Sequence, residues 1–276
     1  MKLSEKRVAR AKARIPQEDF AGARYDTDNP GALAKIIIIL SSPRSGSTFL
    51  CDLFHINGIC LPHEYFQPQE YLPLLADRWG CRKGEDLDGE AYVQALTRYR
   101  TSSDGTLGIN LHGSHLAGFL HFEPLLAGLP VDFVVVQRRD IIAQAISHEI
   151  AGQTQRWSSA FASSGKPEYR FDAILARVRN LQRQNLLTQA FANARGGAAA
   201  DISYEDLVAD TEQTLRKIPA FANLADIQIG TRLKRQGSDL NSQWKRQFAE
   251  ECLSRNDLME FGSKGMARVL HKIRGR

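Results

Sequence analysis

Cysteine is scarce in this 276-residue chain, with Cys51, Cys60, Cys81 and Cys252 and no pair at C-x-x-C spacing. No His/Cys cluster has metal-ligand spacing, so the sequence offers no metal site and reads as a protein of a reducing compartment. Cys51 falls in an apolar helical pattern, the place of a core thiol. Long apolar runs are also missing. Ile36 to Leu40 is the longest, far short of the ~20 residues that span a bilayer. The first residues, MKLSEKRVARAKARI, are charged throughout and lack the apolar stretch of a secretory signal. A cytoplasmic protein without a transmembrane segment is expected, its arginine-rich start suited to peripheral contact with an anionic membrane surface. There is no dense Lys/Arg block with interleaved aromatics, so nucleic-acid binding has no support. No repeat, low-complexity tract or linker divides the chain.

What is present suits a globular α/β protein. Hydrophobic residues make up 43% and the formal net charge is +5, a mildly basic balance that favours an anionic ligand without bearing on fold. Residues 1–34 read as a basic helical arm, partly ordered at best, and a loop whose Asp28-Asn29-Pro30-Gly31 is turn chemistry. Residues 35–276 read as one domain. Lys35 to Leu40, nearly all isoleucine, is a strand buried on both faces. A turn with Pro43, Gly46 and serines follows, and then a helix carrying Phe49, Leu50, Leu53 and Phe54. Strand, tight turn and helix N-terminus together form a phosphate cradle, because the first helical N–H groups are unpaired and the dipole there is positive.

Further strands are expected at Ile59 to Leu61, Thr106 to His112, Val131 to Val136 and, weakly, Ala199 to Ser203. Helical patterns fall at 69–79, 89–101, 114–127, after Asp140, at 171–194, from Tyr204 and at 241–260. The alternation predicts a three-layer parallel sheet flanked by helices, with its ligand at the carboxyl ends of the strands. Loops 41–47, 112–115 and 137–140 all fall there.

The cradle departs from the nucleoside-triphosphate pattern. Ser47 stands where G-x-x-x-x-G-K-[ST] places its lysine, and the cation is Arg44, before Gly46. A second anion site is suggested by Arg138-Arg139-Asp140 at the end of a buried strand, because arginines at a helix start oppose the dipole unless an anion joins them. Ser147 lies two helical turns beyond Arg139, ~12 Å of rise, so the two converge only if Arg139 folds back along the helix.

P-R-S-G-S-T at a strand–helix junction resembles the 5′-phosphosulfate loop of sulfotransferases that use 3′-phosphoadenosine 5′-phosphosulfate (PAPS), and R-x(7)-S resembles their 3′-phosphate motif. RRDIIAQAISHEIAGQTQRW, the P-x-E-[YF]-F of Pro62 to Phe66, Tyr204 to Leu207 and RQGSDLNSQWKRQF at 235–248 resemble one bacterial family. It is the trehalose 2-sulfotransferase type of mycobacterial sulfolipid assembly, to which nodulation-factor sulfotransferases also look related. The resemblance implies a P-loop-like sulfotransferase fold and sulfuryl transfer from PAPS to a carbohydrate or glycolipid hydroxyl, without a metal. It also implies a homodimer. Arg44, Ser45, Gly46, Ser47 and Thr48 would hold the 5′ side of the donor, Arg139 and Ser147 the 3′-phosphate, with Arg44 and Glu64 catalytic and Glu64 the general base.

The residues themselves support Glu64 through its apolar setting, where partial burial raises a carboxyl pKa; His63, His112 and His115 are rival bases. Asn110 and His112 are candidate acceptor contacts. The family tends to G-x-K-[LI] where this chain has Gly108-Ile109-Asn110-Leu111, and the uncharged Asn110 bears on whether trehalose is the substrate. Trp157 and Phe161 fit core better than an adenine stack. Lys245 and Arg246 either close over the nucleotide or form a solvated face. Two other readings remain: a metal-dependent P-loop kinase or NTPase, and a catalytically inactive nucleotide-binding protein.

Overall fold

The isoleucine run folds as a strand buried from Ile36 onward. The structure, a computed structural model, describes residues 1–157, 161, 165–230 and 239–255. In chain order its elements begin with α1 (Glu5–Arg14), β1 (Lys35–Ser41), α2 (Ser47–Ile56), α3 (Tyr71–Arg78), β2 (Arg82–Lys83), β3 (Asp86–Leu87) and α4 (Gly89–Arg100). β4 (Thr106–His112), α5 (Leu116–Phe119), β5 (Val131–Gln137), α6 (Ile141–Thr154) and α7 (Phe171–Asn193) follow. β6 (Ala200–Ser203), α8 (Tyr204–Ala209), α9 (Thr211–Leu215), α10 (Pro219–Ala222) and α11 (Asp239–Arg255) complete them.

The four-stranded sheet runs β4-β1-β5-β6 with every pairing parallel. Side chains alternate across a strand, and β1 uses the alternation to found two cores. Ile36, Ile38 and Leu40 join Leu107, Ile109, Leu111, Phe133 and Val135 on the face covered by α3, α4 and α5. Ile37 and Ile39 join Val134, Val136 and Ile202 on the face covered by α2, α8, α9 and α10. A third cluster binds α6, α7 and α11 through Ile146, Val178, Leu181, Trp244 and Phe248. The parallel-sheet reading of the sequence therefore holds. Register pairs Ser41 with His112 and Gln137 with Ser203, so the carboxyl ends open together on one edge.

Four local expectations differ from the structure. Residues 59–61 form no strand; only His63 makes an isolated bridge, to Ile109 of β4. Residues 114–127 are short helical pieces rather than one helix: the 3-10 turn Gly113–His115, α5, and the 3-10 turn Glu123–Leu126. The polar stretch after α3 contains the antiparallel pair β2–β3, turned at Gly84 with φ 62°. The arm packs onto the body. Leu3, Val8 and Ala11 are buried, and Lys12 and Arg14 pair with Asp77 and Glu70. Such surface pairs contribute about 0–1 kcal/mol. Burying an aliphatic side chain contributes about 1.5–3 kcal/mol, so the apolar residues hidden in this charged helix carry the docking. The helix expected over 241–260 is α11; residues 256–260 lie outside the described residues.

Gly108 in β4 fixes where the segment after α2 runs. A Cβ there would stand 2.7 Å from Cys60 Sγ and 2.8 Å from Pro62 Cγ and N. Only a glycine lets residues 60–63 cross this face closely enough for Asn110 N–H to bond His63 O at 2.9 Å. Gly108→Ala is expected to lower unfolding free energy by about 1–3 kcal/mol, as overpacking does. Denaturant unfolding of the variant and the parent checks the effect.

Candidate active site

The cradle is built from backbone that most residues avoid. Gly46 caps α2 at φ 91° and Arg44 sits at φ 65°, a left-handed position that costs a non-glycine residue about 1–2 kcal/mol. Gly46 is also a close approach, since a Cβ would meet Tyr204 Cδ2 at 2.5 Å. Neighbouring elements hold the loop. Gln144 of α6 donates to Ser42 Oγ at 2.9 Å and to Pro43 O at 2.8 Å, and Ser42 Oγ donates to Asn185 of α7 at 2.7 Å. Ser45 and Ser47 are buried, while Thr48 is exposed at the helix start. Among the described residues Ser45 Oγ has no hydrogen-bond partner in this buried position.

Arg44 reaches across the cradle. Its Nε donates to Ser147 Oγ at 3.0 Å and its Nη1 to the Trp157 carbonyl. Burial, then the charge of Arg138, draws its pKa down to about 10, against an opposing pull from Tyr204. Two cations thus share one recess, the arrangement that an anion between them would stabilise. Arg138 lies with its guanidinium carbon 4.8 Å from the centre of the Tyr204 ring.

Arg139 and Ser147 are not brought together. Arg139, 61% exposed, forks onto Asp206 through two bonds of 2.9 Å, while Ser147 is the partner of Arg44. The Glu205 carboxylate accepts from the N–H groups of Arg139 at 3.0 Å and Asp140 at 3.2 Å. Lys245 pairs with Asp140 and Arg246 is exposed. Trp157 is half-buried against His148, ring centres 5.8 Å apart, outside the three core clusters, where the sequence had favoured core. Phe161 is half-buried.

On the other side of β1, Asn110 is buried and braces the cradle. Its Oδ1 accepts from Ser41 Oγ at 3.1 Å and its Nδ2 donates to Ser47 Oγ at 3.4 Å. Glu64 Oε2 lies 3.5 Å from His112 Nδ1. Burial pushes the Glu64 carboxyl up, against the pull of His115 and His63 and with a small addition from Asp19. Burial draws His112 down to about 4, and burial with His112 beside it draws His115 down to about 3. His63 faces Asp19 Oδ1 at 3.2 Å. His148 links the two halves: burial, then Arg177, His112 and Arg44, draw it down to about 3.

Sequence reasoning missed Gln144, His148, Asn185 and Tyr204. Gln144 and His148 stood in the RRDIIAQAISHE stretch, on the helix face shared with Ser147. Asn185 gave no signal, because only the packing of α7 behind the loop brings it near.

The profile of the Stf0 sulphotransferase family matches residues 36–251. The chain therefore belongs to that family and is an enzyme of the sulfotransferase class. A comparison with curated proteins finds no match. Among solved structures, the sulfotransferase domain of the Synechococcus PCC 7002 olefin synthase is similar at 17% identity and TM-score 0.43, over 81% of this chain and 97% of that one. Mouse sulfotransferase SULT7A1 complexed with PAP is similar at 13% identity and TM-score 0.36, over 89% of this chain and 70% of that one. Among the described residues no helix is long and apolar enough to cross a membrane.

Proposed function

We propose that the protein transfers the sulfuryl group of PAPS to a hydroxyl of a carbohydrate or glycolipid, with Glu64 as general base and no metal in the transfer. The observation that carries this reading is the braced cradle, with two arginines in one recess, together with a half-buried carboxylate whose pKa is raised. The acceptor oxygen attacks sulfur in line as the bond from sulfur to the bridging oxygen breaks, and the electron pair leaves with the 5′-phosphate. Glu64 takes the hydroxyl proton, as a general base within reach can. Arg44 and the N–H groups of residues 45–48 meet the charge on the leaving phosphate. Asn110 acts from behind, holding Ser41 and Ser47, and His112 lies nearest the acceptor side. The four buried free cysteines suit a reducing cytoplasm. The homodimer implied by the family resemblance remains part of the proposal.

In this reading Arg139 leaves Asp206 to take the 3′-phosphate with Ser147. Adenosine 3′,5′-bisphosphate is expected to raise the melting temperature well above the shift given by AMP or Mg-ATP, since binding to the native state alone stabilises by mass action. Arg139→Ala is expected to weaken the bisphosphate by about 1.5–3 kcal/mol, the scale of bonds to charged groups. Equal shifts from AMP and the bisphosphate would remove the 3′-phosphate assignment. A larger shift from Mg-ATP would favour a kinase.

A further inference from the structure

We propose that Glu64, His112 and His115 bind one divalent transition-metal cation of the nitrogen-preferring class, of which Zn2+ is the type. One donor atom from each of the three residues lies within 4.8 Å of the others, and the Glu64 Oε2 to His112 Nδ1 pair is already at 3.5 Å. Donors on a tetrahedral zinc shell of 2.0–2.1 Å stand about 3.3–3.4 Å apart. Small side-chain rotations therefore close the set.

The fold builds this triad. His112 ends β4 and His115 closes the 3-10 turn that follows, and residues three apart eclipse on such a turn. The rings accordingly stack, 5.0 Å between centres and 26° between planes. The turn is locked from behind: a Cβ on Gly113 would stand 2.6 Å from the Gln184 carbonyl of α7. Glu64 arrives through the close crossing that Gly108 permits.

The chemistry also points to a cation. Both histidines are more than nine-tenths buried, at 7% and 6% exposure, and among the described residues His115 Nδ1 has no hydrogen-bond partner. Unmet buried polar atoms are uncommon and call for an explanation. Among the described residues no lysine or arginine pairs with Glu64. Two imidazoles and one carboxylate suit zinc, cobalt or iron and not the oxygen-seeking Mg2+ or Ca2+. The ion would occupy the lone pair that Glu64 needs to accept a proton, so it would silence the enzyme rather than serve it. That consequence rests on the proposed role of Glu64; the binding does not.

The test is titration of the full chain with CoCl2, read by visible absorption, without donor or acceptor. Saturation at one equivalent, with bands displaced by ZnCl2, is expected. His115→Ala and Glu64→Gln are each expected to weaken cobalt by more than about 100-fold, beyond the loss that an outer-layer partner causes. Glu64→Gln keeps the side-chain shape and decides the matter if His115→Ala fails to fold. Absence of stoichiometric uptake, or affinity unchanged in Glu64→Gln, would overturn the site. Bisphosphate binding measured on the same samples separates the two readings, because it can fail while the cobalt spectrum persists, and the reverse.

Discussion

Glu64→Gln is expected to lower turnover by about 10²–10⁴, the range for loss of a general base, while bisphosphate affinity stays nearly unchanged. Glutamine keeps the volume and one carbonyl oxygen but does not take a proton at neutral pH. The residue sits beside His112 and in the proposed reading meets the acceptor rather than the nucleotide, so donor binding and turnover should separate. Single-turnover transfer from isotopically labelled PAPS into a glycan panel measures one, and calorimetric titration with the bisphosphate the other. A variant that keeps most of its activity would shift the role to His112 or His115.

Arg44→Ala should lower turnover much more than it weakens PAPS. Its guanidinium is half-buried between Ser147 and the Trp157 carbonyl, and the proposed function sets it against the charge that the leaving phosphate gains. A contact that strengthens in the transition state appears in kcat rather than in binding. Removing a single donor of this kind commonly costs about 10²–10³ in rate. PAPS titrations and rates for both proteins, with and without EDTA, provide the measurement. EDTA should leave the wild-type rate undiminished; a loss restored by magnesium would point to metal-dependent phosphoryl chemistry instead.

Local signals in the chain carried much of the architecture. The Ile36–Leu40 run, the Val131–Gln137 strand and the long pattern of α7 declared themselves through period and β-branching, and sequence order alone placed three functional loops at one sheet edge. Local readings failed where a distant segment decided. Residues 59–61 have strand composition but lie where Gly108 lets a loop cross β4, and the crossing yields one bridge, at His63, rather than a ladder. The fork of Arg139 went to Asp206, a partner supplied by the helix after β6 and invisible from spacing along α6. The triad of Glu64, His112 and His115 has no motif, because its members meet only through the crossing of β4 by residues 60–63.

The bracing of residues 42–46 by α6 and α7 has a kinetic meaning. Arg44 holds its unfavourable backbone angle in a loop whose Ser42 and Pro43 are tied by Gln144 and Asn185. The conformational cost of shaping the loop is thus met during folding and does not recur at each catalytic cycle. In the proposed reading, a nucleotide meets residues 42–46 with their backbone already shaped, which lowers the ordering cost of binding. Its association rate is then set by diffusion and by the charge of the recess, falling as ionic strength rises. In the proposed reading, differences in residence time among nucleotides fall to the groups that exchange partners on binding: Arg139, now on Asp206, and Ser147, now on Arg44.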